Sequence, residues 1–201
     1  MENIKLTKNT LTLQEMLDKT DKRQEGFELM ISHLRTCKYP LIVETGVSRQ
    51  EDNYFGDGMS TLIWDSVATE LDGTVHCVDN NSDSCKFARN HCGTKTMIWC
   101  ADSVKWLSVK EEEYHKLNRK IDVLYLDSYD LDLKNWHPSA VHHLLELTAI
   151  KGSLKSGTLI AVDDNLIIDD HHVGKGTYVA EYMKRVGKEQ IYSGYQWIWR
   201  W

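Results

Sequence analysis

Acidic side chains punctuate this sequence at five comparable places. Glu44 follows the apolar run PLIV, Asp79 follows TVHCV, Asp102 follows MIWCA, Asp127 follows IDVLYL, and Asp163-Asp164 follows TLIAV. A single aspartate after a strand commonly caps the next helix. Five on one edge of a sheet describe a strongly negative crevice instead, suited to hydroxyl-rich or cationic ligands and to a divalent metal. A carboxylate ending the second strand can accept both hydroxyl protons of a ribose, a role open to Asp79.

The stretch VETGVSRQEDNYFGDGMST (residues 43–61) holds three glycines, as a nucleotide-binding turn does, but polar and aromatic residues divide them. Gly56-x-Gly58-x-x-Thr61 lacks the third glycine of the dinucleotide fingerprint, although Asp79 lies 21 positions beyond Gly58, near the roughly 20 of that fold. The carboxylates would repel a pyrophosphate, and no cluster of Arg or Lys nearby offsets them. S-adenosylmethionine suits such a crevice better than NAD. It carries a ribose, an adenine amino group and a sulfonium cation, and no phosphate. Asp79 would hold the ribose. Asp102 would accept from the adenine amino group, with the Ser103 backbone N–H near a ring nitrogen. Glu44, Thr45 and Gly46 would let the backbone approach the methionine part.

These residues need a scaffold that gathers strand ends. Residues 1–39 read as helical, with Leu13, Met16 and Leu17, then Phe27, Met30, Ile31 and Leu34, at helical spacing. Strands are predicted over 40–44, 74–78, 97–100, 121–126 and 158–162, and 190–201 is strand-like. Helices are predicted over 60–71, 82–91, 104–109, 138–150 and 178–186. Alternation of this kind predicts an α/β fold, a Rossmann-like doubly wound, mostly parallel sheet covered on both faces. Ligands bind such sheets at the carboxyl ends of the strands, where strand order reverses. One domain is expected over 1–201, with a helical N-terminal cap (1–39) and a Rossmann-like core (40–201).

The ordered set of motifs resembles the class I S-adenosylmethionine-dependent methyltransferases over about residues 40–200. It comprises Glu44-Thr45-Gly46, the helix start Gly58-Met59-Ser60-Thr61, Val78-Asp79, Ala101-Asp102-Ser103, Leu126-Asp127-Ser128-Tyr129-Asp130 and Val162-Asp163-Asp164-Asn165. The resemblance implies a cofactor site drawn from Glu44, Thr45, Gly46, Ser48, Gly58, Ser60, Thr61, Asp79, Asn80, Asp102, Ser103 and Asp127. Asp127 and Asp164-Asn165 are also similar to the small metal-dependent O-methyltransferases of the catechol and macrolide-sugar type. There an aspartate and a following acidic–amide pair bind a divalent cation beside the substrate hydroxyls. That implies Asp127, Asp164 (or Asp163) and Asn165 as ligands for Mg²⁺ or another divalent cation, which lowers a hydroxyl's pKa and orients it. The catechol-type enzymes carry a lysine as general base three residues after the first metal aspartate, and Asp130 stands there in this chain. Asp130, His142 and His171 are the candidates to take the proton. His142 and His143 point about 100° apart on a helix, so at most one reaches the crevice. The implied function is methyl transfer to a small hydroxylated acceptor. A catalytically silent binding protein of the same fold is the alternative, motivated by the missing lysine.

The bulk composition narrows the partners. A net charge of −6 and a pI near 5.8 disfavour non-specific binding to nucleic acid or an anionic membrane. No run has the length of a membrane span, and the N-terminus is too polar for a signal peptide. Five cysteines without a C-x-x-C pair predict free thiols in a reducing, cytoplasmic setting. A chain of 201 residues without an obvious acceptor-binding domain favours a small molecule or sugar as acceptor. Residues 49–55 form an extension expected to serve as a lid over the cofactor or a wall of the acceptor site. The polar stretch 169–176 reads as a substrate-side loop, and Gly174-Lys175-Gly176 as a turn into the last helix. Trp197, Trp199 and Trp201 share one face of a final strand. Core packing is the first reading of that face, with a homodimer contact or a substrate wall as the alternative.

Overall fold

The structure is a computed structural model that describes residues 11–168 and 171–201, without the side chain of His171. Two helices open it, α1 (Leu13–Asp18) and α2 (Gln24–Leu34). Thr12 and Glu15 start α1 with a capping box. Thr12 Oγ1 accepts from Glu15 N at 3.2 Å, and the Glu15 carboxylate accepts from Thr12 N at 2.7 Å. Phe27, Met30, Ile31 and Leu34 form the buried stripe of α2.

β1 (Leu41–Thr45), β2 (Thr74–Asp79), β3 (Thr96–Cys100), β4 (Ile121–Leu126) and β5 (Leu154–Val162) pair in parallel. Between them run α3 (Tyr54–Asp57), α4 (Ser60–Glu70), α5 (Ser82–His91), α6 (Ser103–Lys116) and α7 (His137–Ile150). A hairpin, β6 (Asn165–Ile168) and β7 (His171–Gly174), leads into α8 (Thr177–Arg185). The last strands, β8 (Glu189–Ser193) and β9 (Trp197–Arg200), return antiparallel. The sheet order is β3-β2-β1-β4-β5-β9-β8. Strand order therefore reverses between β1 and β4, and their carboxyl ends open the crevice.

Successive residues of a strand face opposite sides, so β1 feeds two cores. Ile42 packs with the cap, α4 and α5, around Phe27, Trp64 and Tyr125. Leu41 and Val43 pack with α6, α7 and α8, around Trp106, Leu147 and Met183. Trp197 and Trp199 are buried in that second core, while Ile198 between them faces the first.

Three elements differ from the sequence expectation. α6 continues to Lys116 because Lys110 occupies a buried position of the stripe Ser103, Trp106, Leu107, Lys110 and Tyr114. Its stem lies on the aromatic surface, with Nζ 4.3 Å from the Trp99 ring centre, so a charged residue hides the helical periodicity. Of the segment expected as a loop, 169–176, His171–Gly174 forms β7 and pairs with β6, and 169–170 lie outside the described residues. Residues 190–201 divide into two strands rather than one, with Gly194 and Tyr195 in the turn between them. Among the described residues, no helix is long and apolar enough to cross a membrane.

Candidate functional site

The crevice begins where β1 runs out. Gly46 has φ of +80°, and a Cβ there would lie 2.5 Å from the Asp127 carbonyl oxygen. Only glycine lets the β1 and β4 loops press together in this way. The contact is fixed by Gly46 N donating to Val78 O and Asp127 N donating to Thr45 O, both at 2.9 Å. Asp79 closes the neighbouring loop. Its Oδ2 accepts from Val47 N at 3.1 Å and its Oδ1 from Asn81 N at 2.7 Å. Burial raises the Asp79 pKa above the usual aspartate value, against those two amides.

Gly46, Ser60, Asp79, Asp127 and Asp130 line one small cavity with Val47, Arg49, Asp57 and Ser128. It measures about 30 Å³, room for little more than one water molecule. Arg49 explains the size. Its backbone N and Nε donate to the two Asp57 oxygens at 2.8 Å, and Nη1 reaches Asp130 Oδ1 at 3.0 Å. The 49–55 extension thus enters the crevice through an arginine that bridges its two banks. Asp130, a candidate base, is the far end of that bridge.

Other expected cofactor residues do not line this cavity. Glu44 points beneath α4, fully buried, and no hydrogen bond of normal geometry reaches either of its oxygens. Burial pushes its pKa up to about 7, which the nearby Ser60, Thr61 and Cys77 offset only in part. Ser48 N donates to Thr61 Oγ1 at 2.9 Å, and both residues are buried. Gly58 (φ +70°) and Met59 (φ +50°) turn the chain into α4. A Cβ on Gly58 would meet the Arg23 side chain at 3.0 Å. Asn80 and Asp102 are exposed, and Asp102 caps α6 by accepting from Lys105 N at 2.9 Å.

A polar cluster supports the crevice from α7. His142 Nε2 lies 2.9 Å from Ser103 Oγ and 3.3 Å from Glu146 Oε1. Glu146 is fully buried and also accepts from Ser128 Oγ (2.6 Å) and Thr45 Oγ1 (3.0 Å). The Glu146 hydrogen bond raises the His142 pKa against partial burial. Burial alone would raise the pKa of Glu146, but His142, His143 and Ser103 bring it below the usual value. His143 faces the interior, where its Nδ1 donates to the Ser139 carbonyl at 2.7 Å and burial lowers its pKa to about 4. The side chain of the third base candidate, His171, lies outside the described residues.

The expected metal ligands meet a different environment. Asp127, Asp163 and Asp164 do converge, with one oxygen of each within 4.8 Å of the others. Three side chains of the protein, Lys175, Arg23 and Tyr195, already hold those oxygens. Lys175 Nζ donates to Asp127 Oδ1 and, at 2.8 Å, pairs with Asp164 Oδ2. Arg23 Nε donates to Asp163 Oδ2 at 2.7 Å and Nη2 to Asp164 Oδ1 at 3.2 Å. Tyr195 OH donates to Asp164 Oδ1 at 2.5 Å. Burial would raise the Asp164 pKa, but Lys175, Tyr195 and Arg23 hold it down at about 2. Burial also opposes the charge on Lys175, and the three carboxylates outweigh it, so its pKa rises above that of an ordinary lysine.

Asn165 does not point at this group. Its Oδ1 accepts from Gly176 N at 2.7 Å and its Nδ2 donates to the Val162 carbonyl at 2.8 Å. A divalent cation does not fit the arrangement, because Lys175 already bridges the oxygens it would need. At about 4 Å, a dication and an ammonium repel by roughly 8 kcal/mol at an effective dielectric near 20.

Sequence reasoning missed Arg23, Glu146 and Lys175. Only Lys175 left a trace, a lysine held between two glycines just after the acidic pair. A roomier groove of about 990 Å³ lies between the β6–β7 hairpin, α8 and Trp199. None of the strand-end carboxylates described above lines it, so the chemistry is assigned to the smaller cavity.

No protein-family model matches the chain, and no curated protein matches it. Solved structures match it in fold. MycE, the methyltransferase from the mycinamycin biosynthetic pathway in complex with Mg and SAH, aligns over 96% of this chain and 55% of its own. The identity is 12% and the TM-score 0.61. NSun6 from Pyrococcus horikoshii with SFG aligns over 86% of this chain and 50% of its own, at 13% identity and a TM-score of 0.54. TrmN from Thermus thermophilus aligns over 92% and 52%, at 10% identity and a TM-score of 0.52. The chain spans about half the length of these structures and shares their Rossmann-like fold.

Proposed function

We propose that the chain is an S-adenosylmethionine-dependent methyltransferase acting on a small hydroxylated acceptor, hence an O-methyltransferase. The observation that carries this is that Gly46 and Asp79 line one cavity beside the switch point of the sheet. A glycine of positive φ ends β1, and a carboxylate at the end of β2 lines the same cavity. The fold shared with MycE, a methyltransferase solved with SAH, supports it.

S-adenosylmethionine, when bound, supplies an electrophilic methyl group on a sulfonium. Asp79 would accept from the ribose hydroxyls on the lone pairs its two amide partners leave free. Asp102 and Ser103 would serve the adenine edge. Gly46, Val47 and Ser60 would face the methionine part. The acidic crevice favours a cation in the ground state, which by itself does not speed the chemistry. Alignment of the acceptor oxygen is what the residues must contribute. Asp130 lines the cavity and takes the hydroxyl proton once Arg49 releases it, while His142 lies behind the wall at Ser103. A divalent cation has no role here, because Lys175 bridges the oxygens such an ion needs. The negative rim suits a neutral or cationic acceptor better than a polyanion.

Titration calorimetry with S-adenosylhomocysteine tests the cofactor. Wild type should bind one equivalent. Asp79→Ala should bind about tenfold more weakly or worse, the loss of roughly 1.5–3 kcal/mol expected for hydrogen bonds to a charged group. No heat from wild type at millimolar ligand would sink the assignment.

A further inference from the structure

Asp127, Asp163 and Asp164 gather as a cation site gathers, and the cation comes from the chain itself. Lys175 is 1% exposed, and its Nζ bridges Asp127 and Asp164. The turn that carries it is built for close approach. A Cβ on Gly174 would lie 2.5 Å from the Asp164 carbonyl oxygen, and one on Gly176 would lie 2.7 Å from Asn165 Oδ1. The bond from Gly176 N to Asn165 Oδ1 fastens the same turn to the acidic loop. Glycines on both sides therefore press the backbone onto residues 164–165 and leave Lys175 directed between the carboxylates.

The charges agree with this placement. Burial raises the pKa of Asp127 and of Asp163, and Lys175 and Arg23 oppose it. With all three carboxylates ionised, the group faces two cations, Arg23 and Lys175, and one negative charge is left. Adding a divalent ion would reverse the sign of the cluster. Without Lys175 the cluster would hold two uncompensated negative charges, which is what a divalent ion neutralises.

We propose that Lys175 is a built-in counter-cation standing in the place of a divalent metal, and that its removal unmasks a metal site on Asp127, Asp163 and Asp164. Arg23 and Tyr195 keep Asp163 and Asp164 in position in either case. The proposal draws on the methyltransferase assignment only for one consequence, turnover that is indifferent to chelator. Absence of heat with S-adenosylhomocysteine would overturn that assignment and leave the metal result untouched.

The test is Mn²⁺ uptake by the full chain, read from the loss of the free-ion electron paramagnetic resonance signal. Wild type should take up no stoichiometric Mn²⁺ at submillimolar concentration. Lys175→Met should take up one ion per chain at least about tenfold more tightly, through hard carboxylate oxygens. Lys175→Arg, which keeps the charge, should behave as wild type. Circular dichroism establishes that each variant is folded, and Lys175→Gln replaces Lys175→Met if the latter is not. One Mn²⁺ bound to wild type and lost in Asp164→Asn would overturn the proposal, a comparison that needs no lysine variant. So would a folded Lys175→Met or Lys175→Gln that takes up no more Mn²⁺ than wild type.

Discussion

Arg23 Nε lies 2.7 Å from Asp163 Oδ2, a partner 140 positions along the chain, and both side chains are buried. The same guanidinium donates to the carbonyls of Phe55 and Gly56 at 3.1 and 3.3 Å. One side chain of the N-terminal cap thus ties together the end of β5 and the glycine loop. Removing one partner of a buried pair strands the other charge. Arg23→Met should therefore cost about 3–5 kcal/mol in urea unfolding. A loss below about 1 kcal/mol, the size of an exposed pair, would mean that water reaches Asp163 freely.

Glu44 makes stability depend on pH. Its pKa is about 7 in the folded chain against an ordinary 4.5, so the folded state keeps a proton that the unfolded state has released. The stabilisation is complete below the unfolded value and fades as pH rises through the folded one. The loss amounts to about 3 kcal/mol across that interval. Glu44→Gln should flatten the profile, gaining on wild type between about pH 5 and about pH 8. Parallel unfolding free energies of the two proteins at those pH values would contradict the assignment.

His142 reports on Glu146. The carboxylate raises the histidine pKa, so Glu146→Gln should lower it, visible as a shift of the His142 ring signals in an NMR pH titration. If cofactor binding needs neutral His142, its acid limb should move to lower pH in the same variant. An unmoved titration would show that the two side chains do not meet in solution.

Arg49 closes the cavity by bridging Asp57 and Asp130, and its side chain is half exposed. An exposed bridge of this kind is weak and screened by salt. Arg49→Ala should speed S-adenosylhomocysteine dissociation several-fold, about the factor that roughly 1 kcal/mol represents, and remove its salt dependence. Identical dissociation rates in stopped flow would place the gate elsewhere.

The alternation of apolar runs with amphipathic stretches made the parallel sheet legible, because burial on both faces leaves runs such as LIV in β1 and VLYL in β4 without a charged residue. The carboxylates at the strand ends were legible for the same reason, since each lies where an apolar run stops. α6 was read short because Lys110 buries its stem under a charged name. β7 was read as part of a loop because its residues, HHVG, carry no strand alternation.

The sequence by itself determined the sheet and where its crevice opens, since both follow from local periodicity and from where each run ends. Tertiary structure alone decided what each carboxylate faces. Glu44 went beneath a helix, Asp130 went to Arg49, and the Asp127, Asp163 and Asp164 group went to Lys175 and Arg23. Whether an acidic cluster holds a metal or an ammonium depends on which cation folding delivers within about 3 Å. A partner 140 residues away in the chain leaves no mark on the spacing of its neighbours.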